Sequence, residues 1–269
     1  MQAAVVDLSA VSAALQRVVP NVAGLVRSAP DAGAPVPGSD WTVGDVAAHL
    51  VLGAEAYSGY AAGATDAVFD VSDIAGGSLT RSSAALLEAE HERDLPGLAD
   101  RMEAAVTAVL QASQGHNADD IVMWNGQPIG LAAMLGIALA EFLLHGRDLA
   151  HALSQPWPIE ASDARLVLAS ALPLLPLLVD PVTTAHAHAT YDLRVRGGAR
   201  AVLAIDDGAL RVGAPDASVD CHVSADPVAL LLVAYGRTSQ WGPILTGKLV
   251  AWGRKPWLGP KLVSYLVAP

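Results

Sequence analysis

The 269-residue sequence has one cysteine, Cys221, two phenylalanines, and only 16 lysines and arginines against 27 aspartates and glutamates. A single thiol excludes an internal disulfide framework and any metal site built from several cysteines. A formal net charge of −11 excludes the basic footprint of a nucleic-acid binder. Long uncharged apolar runs are also missing, despite 52% hydrophobic content and a mean hydropathy of +0.39. The longest candidate, Leu166 to Val179, is broken by Pro173 and Pro176 and falls short of the roughly 18 residues a membrane span takes. The first residues, MQAAVVDLSAVSAALQRV, lack a basic start and meet Asp7 before any apolar core forms. No secretion signal is therefore expected, and a cytoplasmic location is the default. Partners are expected among small molecules, with no nucleic acid and no membrane span.

What the chain has in excess is alanine, valine and leucine, and in the first half they fall at helical spacing. Val6 to Ser28 places Leu8, Val11, Leu15, Val18, Val22 and Leu25 at three- and four-residue steps, a helix with Pro20 as its weak point. The Pro/Gly-rich stretch from Ala29 to Asp40 is a loop. Thr42 and Asp45 form a capping box that starts a second helix at Val43, running to about Ala61 and carrying His49. Gly63 to Leu79 reads as a loop. Helix resumes at Thr80, broken or kinked at Pro96-Gly97, and ends before Gly115; His91 lies on its charged, solvated side. Ile121 to Trp124 is β-like and Asn125-Gly126 a turn. A last helix is expected from Pro128 to about Leu153. Four long helices joined by loops make a four-helix bundle the economical architecture.

That last helix organises the chain. Pro128 to Ala140 is uncharged; Glu141, His145 and Asp148 then follow on one narrow stripe, since a helix turns about 100° per residue. Leu139, Ala140, Phe142, Leu143 and Leu144 make the surroundings apolar on every side, where a carboxylate and an imidazole are costly unless paired or bound to metal. On this fragment alone a buried Glu–His hydrogen bond and a metal site stand equal. His49, on the other apolar helix, is by itself more often a satisfied core histidine. The three together are the ligand set of an open zinc site.

After the SQPWP linker the texture changes. Asp163 to Val179 is an apolar helical stretch interrupted by prolines. Tyr191 to Arg196, Ala201 to Ile205, Leu210 to Val212 and Val219 to Val223 are short β-runs separated by GG, DDG and APDA turns. Helix returns at Pro227 to Tyr235. This half reads as a small antiparallel sheet with packed helices. Gly242 to Lys248 has phosphate-loop spacing, but Leu249 stands where a magnesium-holding Ser/Thr belongs and no strand precedes it, so it is rejected. His186 and His188 suit a solvated loop or strand edge better than a metal site. Cys221 reads as a buried, inert thiol.

Trp41-Thr42 followed by His49, and then Glu141-Phe142-Leu143-Leu144-His145-Gly146-Arg147-Asp148-Leu149, resembles the W-T…H and E-x-x-x-H-x-x-D-L signatures of the mycothiol-dependent maleylpyruvate isomerase family, within the DinB-like thiol transferases. The resemblance implies a DinB-like metal-binding four-helix bundle over residues 1–155, and a linker helix with a small α+β, sterol-carrier-protein-like domain over residues 156–269. It also implies a divalent metal, usually zinc, on His49, Glu141 and His145, with mycothiol as thiol cosubstrate. It makes Arg237, in AYGR, the functional arginine, with Arg254 a weaker candidate. In physical terms, two imidazoles and one carboxylate leave zinc a fourth position where a thiol loses its proton. Asp148 is placed to accept the free N–H of a ligand imidazole. Arg237 is suited to grip a substrate carboxylate with its fork, against a competing role at a helix C-terminus. The implied activity is a thiol-dependent isomerisation of, or S-transfer to, a small electrophile. The alternatives are a metal-dependent hydrolase and a non-catalytic carrier of an apolar ligand.

Overall fold

The structure, a computed structural model, describes residues 6–213 and 218–267. The chain forms two compact units, one of Val6–Asp70 and Leu79–Ile159, the other of Val71–Ser78 and the chain from Glu160 onward. Among the described residues no helix is long and apolar enough to cross a membrane.

The first half holds helices α1 (Leu8–Ser28), α2 (Val43–Ala61), α3 (Ser78–Ala89), α4 (Leu95–Ala112) and α5 (Leu131–Ala152), with a hairpin of β1 (Ile121–Trp124) and β2 (Gln127–Gly130) before α5. Helices α1 and α2 each pack against both α4 and α5. The apolar stripe of α1 is buried from Val11 to Val22, and Pro20, exposed on the opposite side, leaves the helix unbroken. Leu98 and Met102 of α4 and Met134, Leu135 and Leu139 of α5 are fully buried.

Two element boundaries correct the sequence reading. The interruption expected at Pro96-Gly97 is a full break and falls earlier: α3 ends at Ala89, and α4 starts afresh with Asp94 as its cap, its carboxylate accepting from Gly97 N–H at 2.8 Å. Pro96 sits in the first turn, where a missing N–H costs nothing. The last long helix starts at Leu131 rather than Pro128, because Asn125 and Gly126 take positive φ of 47° and 79°. That two-residue turn closes a hairpin and draws residues 127–130 into a strand, with Pro128 opposite Met123.

The second half contains α6 (Ala161–Ala171), α7 (Pro181–Thr184), β3 (His188–Val195), β4 (Arg200–Asp206), β5 (Ala209–Gly213), β6 (Cys221–Ala225), α8 (Pro227–Ala234), α9 (Trp241–Leu245), β7 (Leu249–Trp252) and α10 (Lys261–Ser264). The prolines of the expected 163–179 helix turn its second part into a 3-10 segment, Leu172–Leu177. The strands line up β5-β4-β3-β6-β7. The sheet is mixed rather than antiparallel, because β6 comes in beside β3 in parallel instead of continuing the meander. The expected APDA turn, residues 214–217, lies outside the described residues. Alternation puts Tyr191, Leu193, Leu203, Ile205 and Val223 on one face, packed with Leu168, Leu230 and Leu262 into the unit's core.

The other face carries Asp192, fully buried. Its carboxylate takes Nε and Nη2 of Arg200 at 2.7 and 3.0 Å, Nε and Nη2 of Arg194 at 2.8 and 2.5 Å, and His222 Nδ1 at 2.8 Å. Burial pushes this carboxyl up, but the hydrogen bonds from Arg200, Arg194 and His222 outweigh burial and hold it well below the usual carboxylate range. A depressed folded-state value means the stabilisation is complete above the unfolded value of about 3.9 and is lost as pH falls through the folded one. The second unit should therefore lose thermal stability on acidification below about pH 5. Asp192→Asn should cost about 2 kcal/mol at neutral pH and flatten that acid limb, as followed by calorimetry.

Candidate metal centre

The capping box that opens α2 is formed as the sequence predicts: Asp45 N–H donates to Thr42 Oγ1 at 3.2 Å and Thr42 N–H to Asp45 Oδ2 at 3.0 Å. Arg93 adds Nε and Nη2 bonds to Asp45 Oδ1 at 3.2 and 3.0 Å, fixing where the helix begins. His49 follows in the second turn, toward α5.

On α5 the predicted stripe is present. His145 Nε2 lies 3.4 Å from Glu141 Oε2, and His145 Nδ1 lies 3.5 Å from Asp148 Oδ2. From α2, His49 Nε2 reaches the same Glu141 oxygen at 3.3 Å. One donor atom from each of His49, Glu141 and His145 lies within 4.8 Å of the others. Aromatic rings close around them. Trp41, just before the cap, stacks on His145 at 5.9 Å between centroids and tilts over His49 at 4.9 Å. Phe69 meets His49 edge-on at 6.0 Å.

Electrostatics fit the residues to a cation. Burial pushes the Glu141 carboxyl up, yet hydrogen bonding from His145 and His49 outweighs it and keeps Glu141 ionised, well below the usual carboxylate range. Burial holds His49 below its ordinary value, against the pull of Glu141, so its imidazole is neutral with a lone pair to give. Burial also opposes charge on His145, but Asp148 and Glu141 outweigh it and raise its pKa. As hydrogen bonds, contacts of 3.3 and 3.4 Å are long. As ligand-to-ligand edges they match the roughly 3.4 Å that a tetrahedral zinc with bonds of about 2.1 Å requires. His49 Nδ1 is buried without a hydrogen bond, and His145 Nδ1 is buried with Asp148 Oδ2 at 3.5 Å beside it, an arrangement that the imidazole pair alone does not repay.

The other sequence candidates belong to the second unit. Arg237 follows α8, whose end is a two-bond cap: Gly236, at φ 68°, donates to Val233 O and Arg237 N–H donates to Leu232 O. Its Nη1 donates to Tyr235 O at 3.0 Å, the type of contact that the helix-end reading calls for. Arg254 is ion-paired with Asp220, which Lys255 also meets. His188 engages Asp206 through Nδ1 and Asp207 through Nε2 on the exposed start of β3. Cys221 is buried, and burial raises its thiol. Residues 242–245 of the rejected phosphate loop belong to the short helix α9.

Sequence reasoning missed two contributors. Phe69 lies in what reads as a featureless loop. Trp157, in the stretch read as a linker, donates from Nε1 to Leu143 O at 2.9 Å and packs on Gly146. Only the pairing of a helical glycine with a tryptophan soon after the helix hinted at the second.

The family model described as the mycothiol maleylpyruvate isomerase N-terminal domain matches residues 11–150, more than half of the chain. The chain belongs to this family. The matched span takes in His49, Glu141, His145 and Asp148. Two crystal structures of the mycothiol-dependent maleylpyruvate isomerase share the fold. A single-site mutant gives a TM-score of 0.53 and the unsubstituted protein 0.51, each at 13% identity over 91% of this chain and 92% of that one. Identity that low speaks for the fold alone: a helical N-terminal part followed by an α/β C-terminal part. A search of curated proteins returns no match to the chain.

A Cβ at Gly146 would fall 2.4 Å from Trp157 Cζ2. Gly146→Ala should therefore displace the indole and lower the stability of the first unit by about 2 kcal/mol, the usual scale of overpacking, with Trp157 fluorescence shifted to the red. An unchanged unfolding midpoint and spectrum would show that the close packing is not required.

Proposed function

We propose that the chain is a metal-dependent enzyme that activates a low-molecular-weight thiol of the mycothiol kind, for isomerisation of, or S-transfer to, a small electrophile. The observation that carries this reading is the meeting of His49 Nε2, His145 Nε2 and Glu141 Oε2 from two helices. The family supplies the thiol, since mycothiol dependence is stated of the structural relatives. On the same resemblance the bundle is of the DinB type and spans residues 1–155, and residues 156–269 form a sterol-carrier-protein-like domain.

His49, Glu141 and His145 would hold the cation, with zinc the metal that suits two imidazoles and a carboxylate. Bound there, it supplies the positive charge that lets a thiol lose its proton near neutral pH. The remaining work falls to the chain. Glu141, already ionised, offsets part of that charge. Asp148 stands beside His145 Nδ1 and fixes which imidazole nitrogen faces inward. Trp41 and Phe69 keep bulk water off the rings. In isomerisation, the thiolate sulfur forms a bond to one carbon of a conjugated double bond, and the π electrons move onto the neighbouring carbonyl. The former double bond then rotates, and elimination breaks the C–S bond to return the thiolate and the isomer. In S-transfer the C–S bond stays, and the enolate takes a proton from solvent to give the neutral thioether. Arg237, on the strength of its Gly-Arg position, is assigned the substrate carboxylate.

A second reading has one observation in its favour. The second unit contains a cavity of about 80 Å³ lined by Leu172, Leu175, Leu203, Leu230, Leu262 and other apolar side chains. Its apolar lining suits an alkyl chain or another apolar ligand.

Elemental analysis should find about one transition metal per chain, absent in His49→Ala and held about tenfold more weakly in Asp148→Asn. Metal retained in full by His49→Ala removes the assignment. Incubation with mycothiol and electrophiles, read by mass spectrometry for adducts or isomers, tests the reaction. Arg237→Lys should keep metal content while raising KM for carboxylate-bearing substrates by roughly tenfold, as loss of a bidentate fork does; unchanged kinetics would leave this arginine its helix-end role.

A further inference from the structure

Beyond the ligands themselves, one buried amide ties together the segments that flank both ligand-bearing helices. Asn125, at the tip of the β1–β2 hairpin that precedes α5, is 6% exposed. Its Oδ1 accepts the Tyr60 hydroxyl at 2.5 Å, Val68 N–H at 3.1 Å and Phe69 N–H at 2.9 Å. Three donors on one atom identify it as the oxygen of the amide. Tyr60, 2% exposed on the last turn of α2, also accepts Val68 N–H through its hydroxyl at 3.0 Å. The chain leaving α2 is thus held at two successive backbone amides, and the second belongs to Phe69, whose ring lies against His49.

We infer that Asn125 is a positioning residue for the His49 site: by fixing Phe69 it sets the ring orientation with which His49 Nε2 faces Glu141. The inference rests on the metal-site reading for its functional consequence, but its geometry stands apart from it. Other residue types serve poorly here. At φ 47° a side chain with a Cβ is strained unless it is Asn or Asp, and the donors of Tyr60, Val68 and Phe69 are in a part-buried to buried setting that leaves them costly if unmet.

The test uses Asn125→Gly, which keeps the turn and removes the acceptor, and Asn125→Asp, which restores an acceptor oxygen and tolerates the same φ. Two readouts are taken on the full chain: the His49 imidazole resonances of the cation-free protein, and zinc affinity by competition with a chelating dye. Asn125→Gly should move the His49 resonances and weaken zinc binding by about tenfold, while Asn125→Asp should restore both toward the unsubstituted protein. Unchanged resonances and unchanged affinity in Asn125→Gly overturn the inference. If the unsubstituted protein takes up no zinc, the metal reading fails alone, and the His49 resonances still decide the role of Asn125. Should Asn125→Gly lose its helical circular dichroism, Tyr60→Phe, which removes one of the three donors and the second acceptor for Val68, is read in the same two ways, and unchanged values there overturn the inference.

Discussion

An ionised carboxylate on a helix walled by Ala140, Phe142, Leu143 and Leu144 must be met by something, and the local structure of the bundle follows from how Glu141 is met. His145 comes from the same helix at the four-residue step. His49 has to come from outside it, so α2 must start at a set position, which the Thr42–Asp45 capping box and the Arg93 bonds to Asp45 provide. Helix α5 needs a fixed register too. Its first amides, Leu131 and Ala132 N–H, donate to Asp120 O and Ala118 O, and near its far end Trp157 donates to Leu143 O. Each device is local and individually modest, and together they hold three donor atoms within 4.8 Å of one another.

The elements legible in the sequence are those governed by periodicity or by a cap at fixed spacing. The stripe of α1, the start of α2 and the order Glu141, His145, Asp148 on one face needed only helical geometry, and the structure shows them. The illegible ones depend on contacts far apart in sequence. Nothing around Phe69 announces that Asn125, 56 residues on, will hold its amide. The parallel pairing of β3 with β6 leaves no periodic trace, because a strand's alternation is the same in either direction. Pro96 is ambiguous for a different reason: proline punctuates both the interior break and the first turn of a helix, and Asp94 two residues earlier is the signal that separates them. Pro128 was taken into a helix because its apolar neighbours suit either element over so short a run.

The two units handle a poorly solvated carboxylate in opposite ways. Asp192 has five nitrogen contacts between 2.5 and 3.0 Å, two from each guanidinium and one from His222. Such a carboxylate has no capacity left for an exchangeable partner, and its role is to pin β3 to β4 and β6. Glu141 has two imidazole nitrogens at 3.3 and 3.4 Å, and of the outer nitrogens of the same rings His49 Nδ1 has no hydrogen bond while His145 Nδ1 has only Asp148 at 3.5 Å. It is ionised and under-coordinated, with neighbours that are ligands in their own right. Depressed pKa values alone do not tell these sites apart, since both carboxyls lie well below the usual range. Saturation does. A charge fully met by fixed guanidinium groups is structural, whereas a charge met at long range by neutral-capable imidazoles retains affinity for a cation, and that difference is the physical ground for proposing a metal at Glu141 rather than at Asp192.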